Sequence, residues 1–338
     1  MIDLIRSACL THYAEVARSV GLEPRHMLKQ VRLPLRCLEN PDLRIAVTGV
    51  RRLLVASAAA SGADEFGLRM AERSGLANLG PVALVVREQA TVGAAIETLA
   101  RYIHLHDEAM RLRVERQDDV ITIAVFLRGG QTTRQSTEWA VGLVYRILRS
   151  LFNDAWRPLG IHFAHAPPRS RRFHRQFFGT GITFNSDLDA IQCSVTDMAR
   201  PILTSHPMLA RYVESRVEAI EVRPESWDDK VGELVRTLLP GGNCTIETVA
   251  EHLSCDRRTV HRRLLECSTT FSAILDAERS DVMMRLVEDA NRPLKEIAGL
   301  LGFSAQSALA RWFRGKFGCS ITTWRTDGRQ RAIAAARW

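Results

Sequence analysis

The chain has 338 residues, which at about 150 residues per domain sets an expectation of two domains. Hydrophobic residues make up 46% and charged residues 25%, ordinary globular values that exclude a disordered, collagen-like or low-complexity chain. Lysine and arginine number 46 against 38 aspartate and glutamate, a net charge of +8 that suits a polyanionic partner without requiring one.

The seven cysteines (9, 37, 193, 244, 255, 267 and 319) are scattered and form no C-x-x-C pair. Neither a disulfide scaffold nor a structural zinc site is expected, and no cofactor is implied. The opening MIDLIRSACLTHYAEVARSV lacks the basic start and long apolar core of a signal peptide. Apolar stretches such as Val82 to Val86 fall far short of the roughly 20 residues of a membrane span. A cytoplasmic chain without a membrane partner is the expectation.

Residues 1 to about 65 read as helical. Leu4, Ile5, Ala8, Tyr13, Val16, Ala17 and Val20 recur at helical spacing up to Gly21, and VRRLLVASAAASG is a second helix ended by Gly62. Residues 91–107 form a third, capped by Thr91. RLRVERQDDVITIAVFL then alternates, turns at Gln117-Asp118-Asp119 and resumes, the pattern of a β-hairpin. Helical spacing returns over 135–153 through Trp139, Leu143, Ile147 and Leu151. IHFAHAPP is a short strand, followed by a helix near 170–178 and the strands GITFN and AIQCSV. Helices mixed with hairpin strands predict an α+β front domain over 1–225. A helix over 204–226 ends at Val222-Arg223-Pro224-Glu225-Ser226, and from Trp227 onward only helices are predicted. The expected division is 1–225, 226–330 and a tail over 331–338.

Two segments of the second region repeat one design: TIETVAEHLSCDRRTVHRRLLE (245–266) and PLKEIAGLLGFSAQSALARWFRGKFG (293–318). Each begins with a short helix carrying apolar-Ala-x-x-Leu, through Val249, Ala250 and Leu253, or Ile297, Ala298 and Leu301. Alanine there lets a second helix cross closely. A tight turn follows, then a helix with apolar residues at i and i+4: Val260 and Leu264, or Leu309 and Phe313. This is the pattern of a helix-turn-helix, twice over in an all-α domain.

The outward face of each second helix follows from helical pitch. With Val260 and Leu264 inward, Arg258 and Arg262 lie about 200° away, flanked by Arg257, Thr259 and His261. Asp256 and Thr245 are placed to cap. In the second unit Ser307 and Arg311 lie opposite Leu309, with Gln306 at the helix start and Ser304 as the expected N-cap. Arginine pairs bidentately with guanine and glutamine with adenine in the major groove, and recognition helices read with their N-terminal part. Arg314 and Lys316, further along, fall to phosphates. Residues 241–338 hold 15 basic and 11 acidic side chains, and RRTVHRR (257–263) alone has four arginines.

Residues 240–325, with the stretch IAGLLGFSAQSALARWFRGKFG, resemble the DNA-binding domain of AraC/XylS-type transcription regulators. The chain departs from that pattern in three places: Ile321 replaces a proline, Leu309 an aromatic residue, and Ser254 a glycine. The front is similar to the N-terminal domain of ornithine-utilisation and mycobacterial virulence regulators. The pieces that match are FGLRMAERSGLANLGPVALVVREQATVGAAIETLARYIHLH, WRPLGIHFAHAPP, FHRQFFGTGITFN and DMARPIL. That domain binds an effector or dimerises. The resemblance implies a sequence-specific regulator, an activator, working as a homodimer on double-stranded DNA with RNA polymerase as protein partner and a small-molecule effector. A front domain that only dimerises or docks a protein stays open as the alternative.

Other features read as structural. RSRRFHR (169–175) lies outside the repeats and reads as a solvated helix start. His104 and His106 fall on different helix faces, and His162 and His165 beside an apolar strand read as satisfied histidines rather than metal ligands. Trp139, Trp156, Phe163, Phe177 and Phe178 read as core, with the lining of a pocket as the alternative. No G-x-S-x-G, P-loop, H-E-x-x-H or G-x-G-x-x-G is present, so an enzyme is not expected.

Overall fold

A computed structural model describes residues 3–129, 132–152, 156–179, 181–202, 226–239, 244–253, 255–287 and 292–325. The expected helix over 204–226, Gly241-Gly242, Ser254 and the tail beyond 325 lie outside these residues. The chain divides into two compact units, one chiefly residues 1–224 and the other chiefly 225–338.

The first unit mixes helices and strands in this order: β1 (Leu4–Arg6), α1 (Tyr13–Ser19), α2 (Pro24–Gln30), β2 (Arg44–Ala46), α3 (Val47–Ser61), α4 (Phe66–Arg73), α5 (Pro81–Arg87), α6 (Val92–Tyr102), β3 (Met110–Gln117), β4 (Val120–Leu127), α7 (Arg134–Phe152), β5 (Gly160–Phe163), α8 (Arg172–Phe178), β6 (Ile182–Phe184), β7 (Ala190–Ser194) and α9 (Val195–Met198). The α+β expectation holds. The hairpin is present, turning at Asp118 with a left-handed φ of 51°, which aspartate tolerates. Strand order in the five-stranded sheet is β3-β4-β7-β5-β6, antiparallel except for the parallel edge pair β5–β6.

The reading of residues 1–65 as helical needs correction at residues 4–6 and 44–46. Leu4 to Arg6 pair antiparallel with Arg44 to Ala46, Ile5 opposite Ile45. Leu4, Ile5, Ile45 and Ala46 are all buried, so the alternation that marks a half-exposed strand is absent and adjacent apolar residues mimic a helix face. Elsewhere the local signals work as expected. Gly62 ends α3 in a left-handed conformation, and Thr91 accepts the Ala94 N–H at 3.2 Å to cap α6.

Helix α7 runs through the core: residues 135 to 145 are all buried. It crosses α4 at backbone contact distance. A Cβ on Gly67 would stand 2.1 Å from the Gln135 carbonyl oxygen, and one on Gly142 2.5 Å from the Ala71 Cβ. Only glycine permits this approach. The crossing fixes the polar residues of α7 inside the unit. Glu138, fully buried, accepts from His174 Nε2 at 2.8 Å and sits 3.5 Å from Arg134 Nη1.

The second unit is helical: α10 (Trp227–Leu238), α11 (Ile246–His252), α12 (Arg257–Glu266), α13 (Phe271–Val287), α14 (Leu294–Leu300) and α15 (Gln306–Phe317). Ser226 caps α10 in a reciprocal arrangement with Asp229. The long helix α13 connects the two repeats and is tied to α10 by Arg236 and Glu278, 2.5 Å apart.

Candidate nucleic-acid interface

The two repeats fold as helix, turn and helix: α11 with α12, and α14 with α15. The leading helices bury matched residues, Val249 with Ile297, Ala250 with Ala298 and Leu253 with Leu301. The turns match in their hydrogen bonds too. The Cys255 N–H donates to the Ala250 carbonyl at 3.0 Å, and the Phe303 N–H to the Ala298 carbonyl at 2.8 Å. Each bond spans five residues and closes a helix C-terminus in the Schellman manner. In the second turn Gly302 has φ 68°, a conformation open to glycine without a Cβ penalty.

Beyond the turns the register shifts. The two alanines are 48 residues apart, but Val260 and Leu309 are 49 apart, and so are Leu264 and Phe313. These four side chains are fully buried, so the second turn contains one residue more than the first. The helix starts differ accordingly. Asp256 caps α12, accepting the Thr259 N–H at 2.7 Å, and that bond first, then other local donors and the Arg258 charge, holds its carboxyl below the usual range. Thr245 Oγ1 accepts the Thr248 N–H at 3.1 Å at the start of α11. The expected cap at Ser304 is corrected: the N-cap of α15 is Ala305, without a side-chain bond, and Ser304 is the added turn residue.

Opposite the buried pairs stand the charges. Arg257, Arg258, His261 and Arg262 are exposed and Thr259 is half-buried. Ser304, Gln306, Ser307, Arg311, Arg314 and Lys316 are all exposed. The two faces differ in how their charges are engaged. On α12, Arg257 lies 3.4 Å from Glu247, Arg262 3.4 Å from Glu266, and Arg263 2.8 Å from the other oxygen of Glu266. Arg258, Arg311, Arg314 and Lys316 form no ion pair among the described residues.

Sequence reasoning did not single out Arg279 of α13. Its Nε donates to the Leu301 carbonyl at 2.9 Å, its Nη2 to the Gly302 carbonyl at 3.4 Å, and its guanidinium lies 4.4 Å from the Phe303 ring centroid. It holds the second turn from behind. Trp312 adds a second tie, donating to Asp276 at 3.2 Å. The departures from the family pattern are accommodated. Leu309 is fully buried, and Ile321 is buried at the first position of a helical turn over 321–325, where the N–H has no helical acceptor in any case. Ser320 caps that turn, accepting the Thr323 N–H at 3.0 Å.

The histidines singled out from the sequence do not converge. His104 bonds the Arg101 carbonyl at 2.8 Å and His162 meets Gln192 at 3.0 Å. His165 meets the Ala166 carbonyl at 2.9 Å and lies 3.6 Å from Glu138. Among the described residues no group of three or more His, Cys, Asp or Glu is arranged to hold a metal ion. No described helix is long and apolar enough to cross a membrane. The arginines of 169–175 are exposed around the buried His174, and the five aromatic residues read as core are buried.

Paired helices with an apolar inner seam and a basic outer face define a helix-turn-helix regulator of transcription. Comparison with known proteins gives the family. The family described as the arabinose-binding domain of AraC transcription regulator, N-terminal, matches residues 21–202, and a helix-turn-helix domain family matches 249–327. The chain belongs to the AraC family of transcription regulators. The HTH-type transcriptional regulator VirS of Mycobacterium tuberculosis is 29% identical over 331 residues, 96% of this chain and 97% of the relative. The ornithine utilization regulator of Pseudomonas aeruginosa is 22% identical over 316 residues, 92% of this chain and 93% of the relative. The crystal structure of the regulator CdpR from P. aeruginosa aligns at 18% identity with a TM-score of 0.37, over 77% of this chain and 86% of that one. The chain is a transcription regulator with a C-terminal helix-turn-helix DNA-binding domain and an arabinose-binding-type N-terminal domain.

Proposed function

We propose that the chain activates transcription in response to a small-molecule effector. Residues 1–225 sense the effector and form a homodimer, residues 226–330 read DNA, and residues 331–338 are a tail. α12 and α15 enter successive major-groove segments about 34 Å apart. Arg258, Arg262, Gln306, Ser307 and Arg311 read bases. Arg257, Thr259, His261, Ser304, Arg314 and Lys316 position the helices on the backbone, and the bound regulator recruits RNA polymerase. The reading is carried by one observation: in both units the exposed basic residues lie opposite a fully buried apolar pair. Sensing is supported by the front match to a domain family described by a sugar ligand. An effector acts by binding one arrangement of the protein better than the other.

The test is binding to duplexes from the promoter region next to the gene. Arg258→Ala relaxes specificity at one base pair by about 1–3 kcal/mol. Lys316→Ala weakens binding to all sequences alike and lowers the salt slope by about one. Unchanged binding by both folded variants overturns the face assignment. A thermal-shift screen with amino acids, polyamines, fatty acids and neutral alcohols and ketones tests sensing, since a ligand of the native state raises Tm with concentration. A flat response across a broad library favours a front domain that only dimerises or docks.

A further inference from the structure

Inside the first unit lies a cleft between α3, α7 and the segment that joins α6 to β3. Val50, Met110 and Leu143 are among its apolar walls, and Arg51, His106, Asp107 and Trp139 are among its polar lining. It encloses about 440 Å³ of empty space, part of it open to solvent, and is slim. Its narrowness admits a chain or a single small group rather than a bulky ring system.

Two lining residues have unused hydrogen-bonding atoms. Trp139 is 8% exposed and His106 2%, yet Trp139 Nε1 and His106 Nδ1 have no hydrogen-bond partner among the described residues. Buried polar groups are ordinarily paired, and an indole N–H can only donate. The charges beside them are already balanced. Arg51 donates to the Arg128 carbonyl at 2.6 Å and to the Gly129 carbonyl, and the Asp107 carboxylate accepts the Ala109 N–H at 2.8 Å. Each of these two opposite charges is felt by the other. Burial first, then Arg6 and Arg44, keeps His106 neutral, its pKa pushed down to about 3. An ionic ligand finds no uncompensated counter-charge here and would lose its hydration.

We propose that this cleft is the effector site, taking a slim uncharged molecule with an apolar body and one carbonyl or hydroxyl oxygen that accepts a hydrogen bond from Trp139. The assignment rests on the sensing reading above, and it adds to that reading both a location and a ligand chemistry.

The test uses the full-length protein with four six-carbon probes: 2-hexanone and 1-hexanol as neutral ligands, hexanoate and hexylamine as charged counterparts. Calorimetric titration and thermal shift should detect the neutral pair, with the charged pair about tenfold weaker or absent. Trp139→Phe keeps a ring but removes the donor, and should weaken 2-hexanone about tenfold, the loss of one buried hydrogen bond. Ala140→Leu fills the cleft from α7 and should abolish binding with the circular dichroism spectrum unchanged, so the test survives if the tryptophan variant fails to fold. No neutral binding, equal binding of the ions, or binding that is indifferent to both variants overturns the site. DNA anisotropy separates the two readings. Trp139-dependent probe binding that leaves DNA affinity unchanged sustains the site and overturns its role as a sensor. A DNA response to another small molecule that is unaltered in both variants sustains sensing and overturns this location.

Discussion

The two units of this regulator treat their polar side chains in opposite ways. The first folds them inward: Glu138 with His174, and Arg51 with Asp107 and His106, sit inside the protein. The second buries fewer, chiefly Lys230 and His252, and leaves Arg258, Arg262, Arg311, Arg314 and Lys316 on the surface opposite the buried apolar pairs. Similar charged groups therefore have different uses. Inside, a charge needs its partner to exist at all, and so fixes geometry. Outside, it is screened and exchangeable, and is available to a polyanion.

That contrast can be broken in graded steps. The largest effect belongs to Glu138→Ala, which strands the buried His174 and leaves the half-buried Arg134 with Asp64 alone, and should cost about 3 kcal/mol in urea unfolding. A cost as small as that of a surface pair would mean that water reaches Glu138 and the contrast is overstated.

The second step is a pH dependence confined to the first unit. His106 titrates near 6.5 when unfolded but is neutral in the fold down to about 3. Its contribution is full above pH 6.5 and is lost as pH falls toward 3. Asp107 has the opposite sign. Burial foremost, helped by Asp3 and Glu108 and opposed by the Ala109 N–H and Arg51, pushes it up to about 6. The fold therefore takes up that proton before the unfolded chain does, and stability rises as pH falls from above 6 toward 3.8. Relative to the parent, His106→Gln should lose less stability between about pH 7 and pH 4, and Asp107→Asn should lose more. Denaturant midpoints across that range decide it.

Third, Arg279→Met should cost the second unit about 1–3 kcal/mol, since the Leu301 and Gly302 carbonyls lose their donor. It should lower DNA affinity by loosening α15 while α12 is untouched. The smallest effect is Glu266→Gln. Exposed pairs contribute at most about 1 kcal/mol, so stability should barely move. Releasing Arg262 and Arg263 should nonetheless raise affinity for any duplex by no more than about fivefold and steepen its salt dependence. Fluorescence anisotropy at two salt concentrations measures both.

What was legible in the sequence follows the same division. The exposed basic faces are legible because Val260 and Leu264, set against Arg258 and Arg262, give a periodicity that solvent enforces. The hairpin was found because β4 alternates against β3. Side chains that pair inward over long separations leave no local rhythm: Arg279 reaches a turn 22 residues away, and Glu138 meets a histidine 36 away. β1 was hidden because its neighbours are both buried. The shifted start of α15 is written in the unequal 48 and 49 spacings, which place the cap at 305 rather than at Ser304.

The added turn residue has a consequence for engineering. One residue is about 100° of helical rotation. The two helix-turn-helix repeats therefore cannot be exchanged by copying equal-length segments anchored on their alanines. A graft of α12 into the second position that omits a counterpart for Ser304 would swing its arginines toward the interior and its valine toward the groove. Exchange of specificity between the halves requires moving the loop together with the helix.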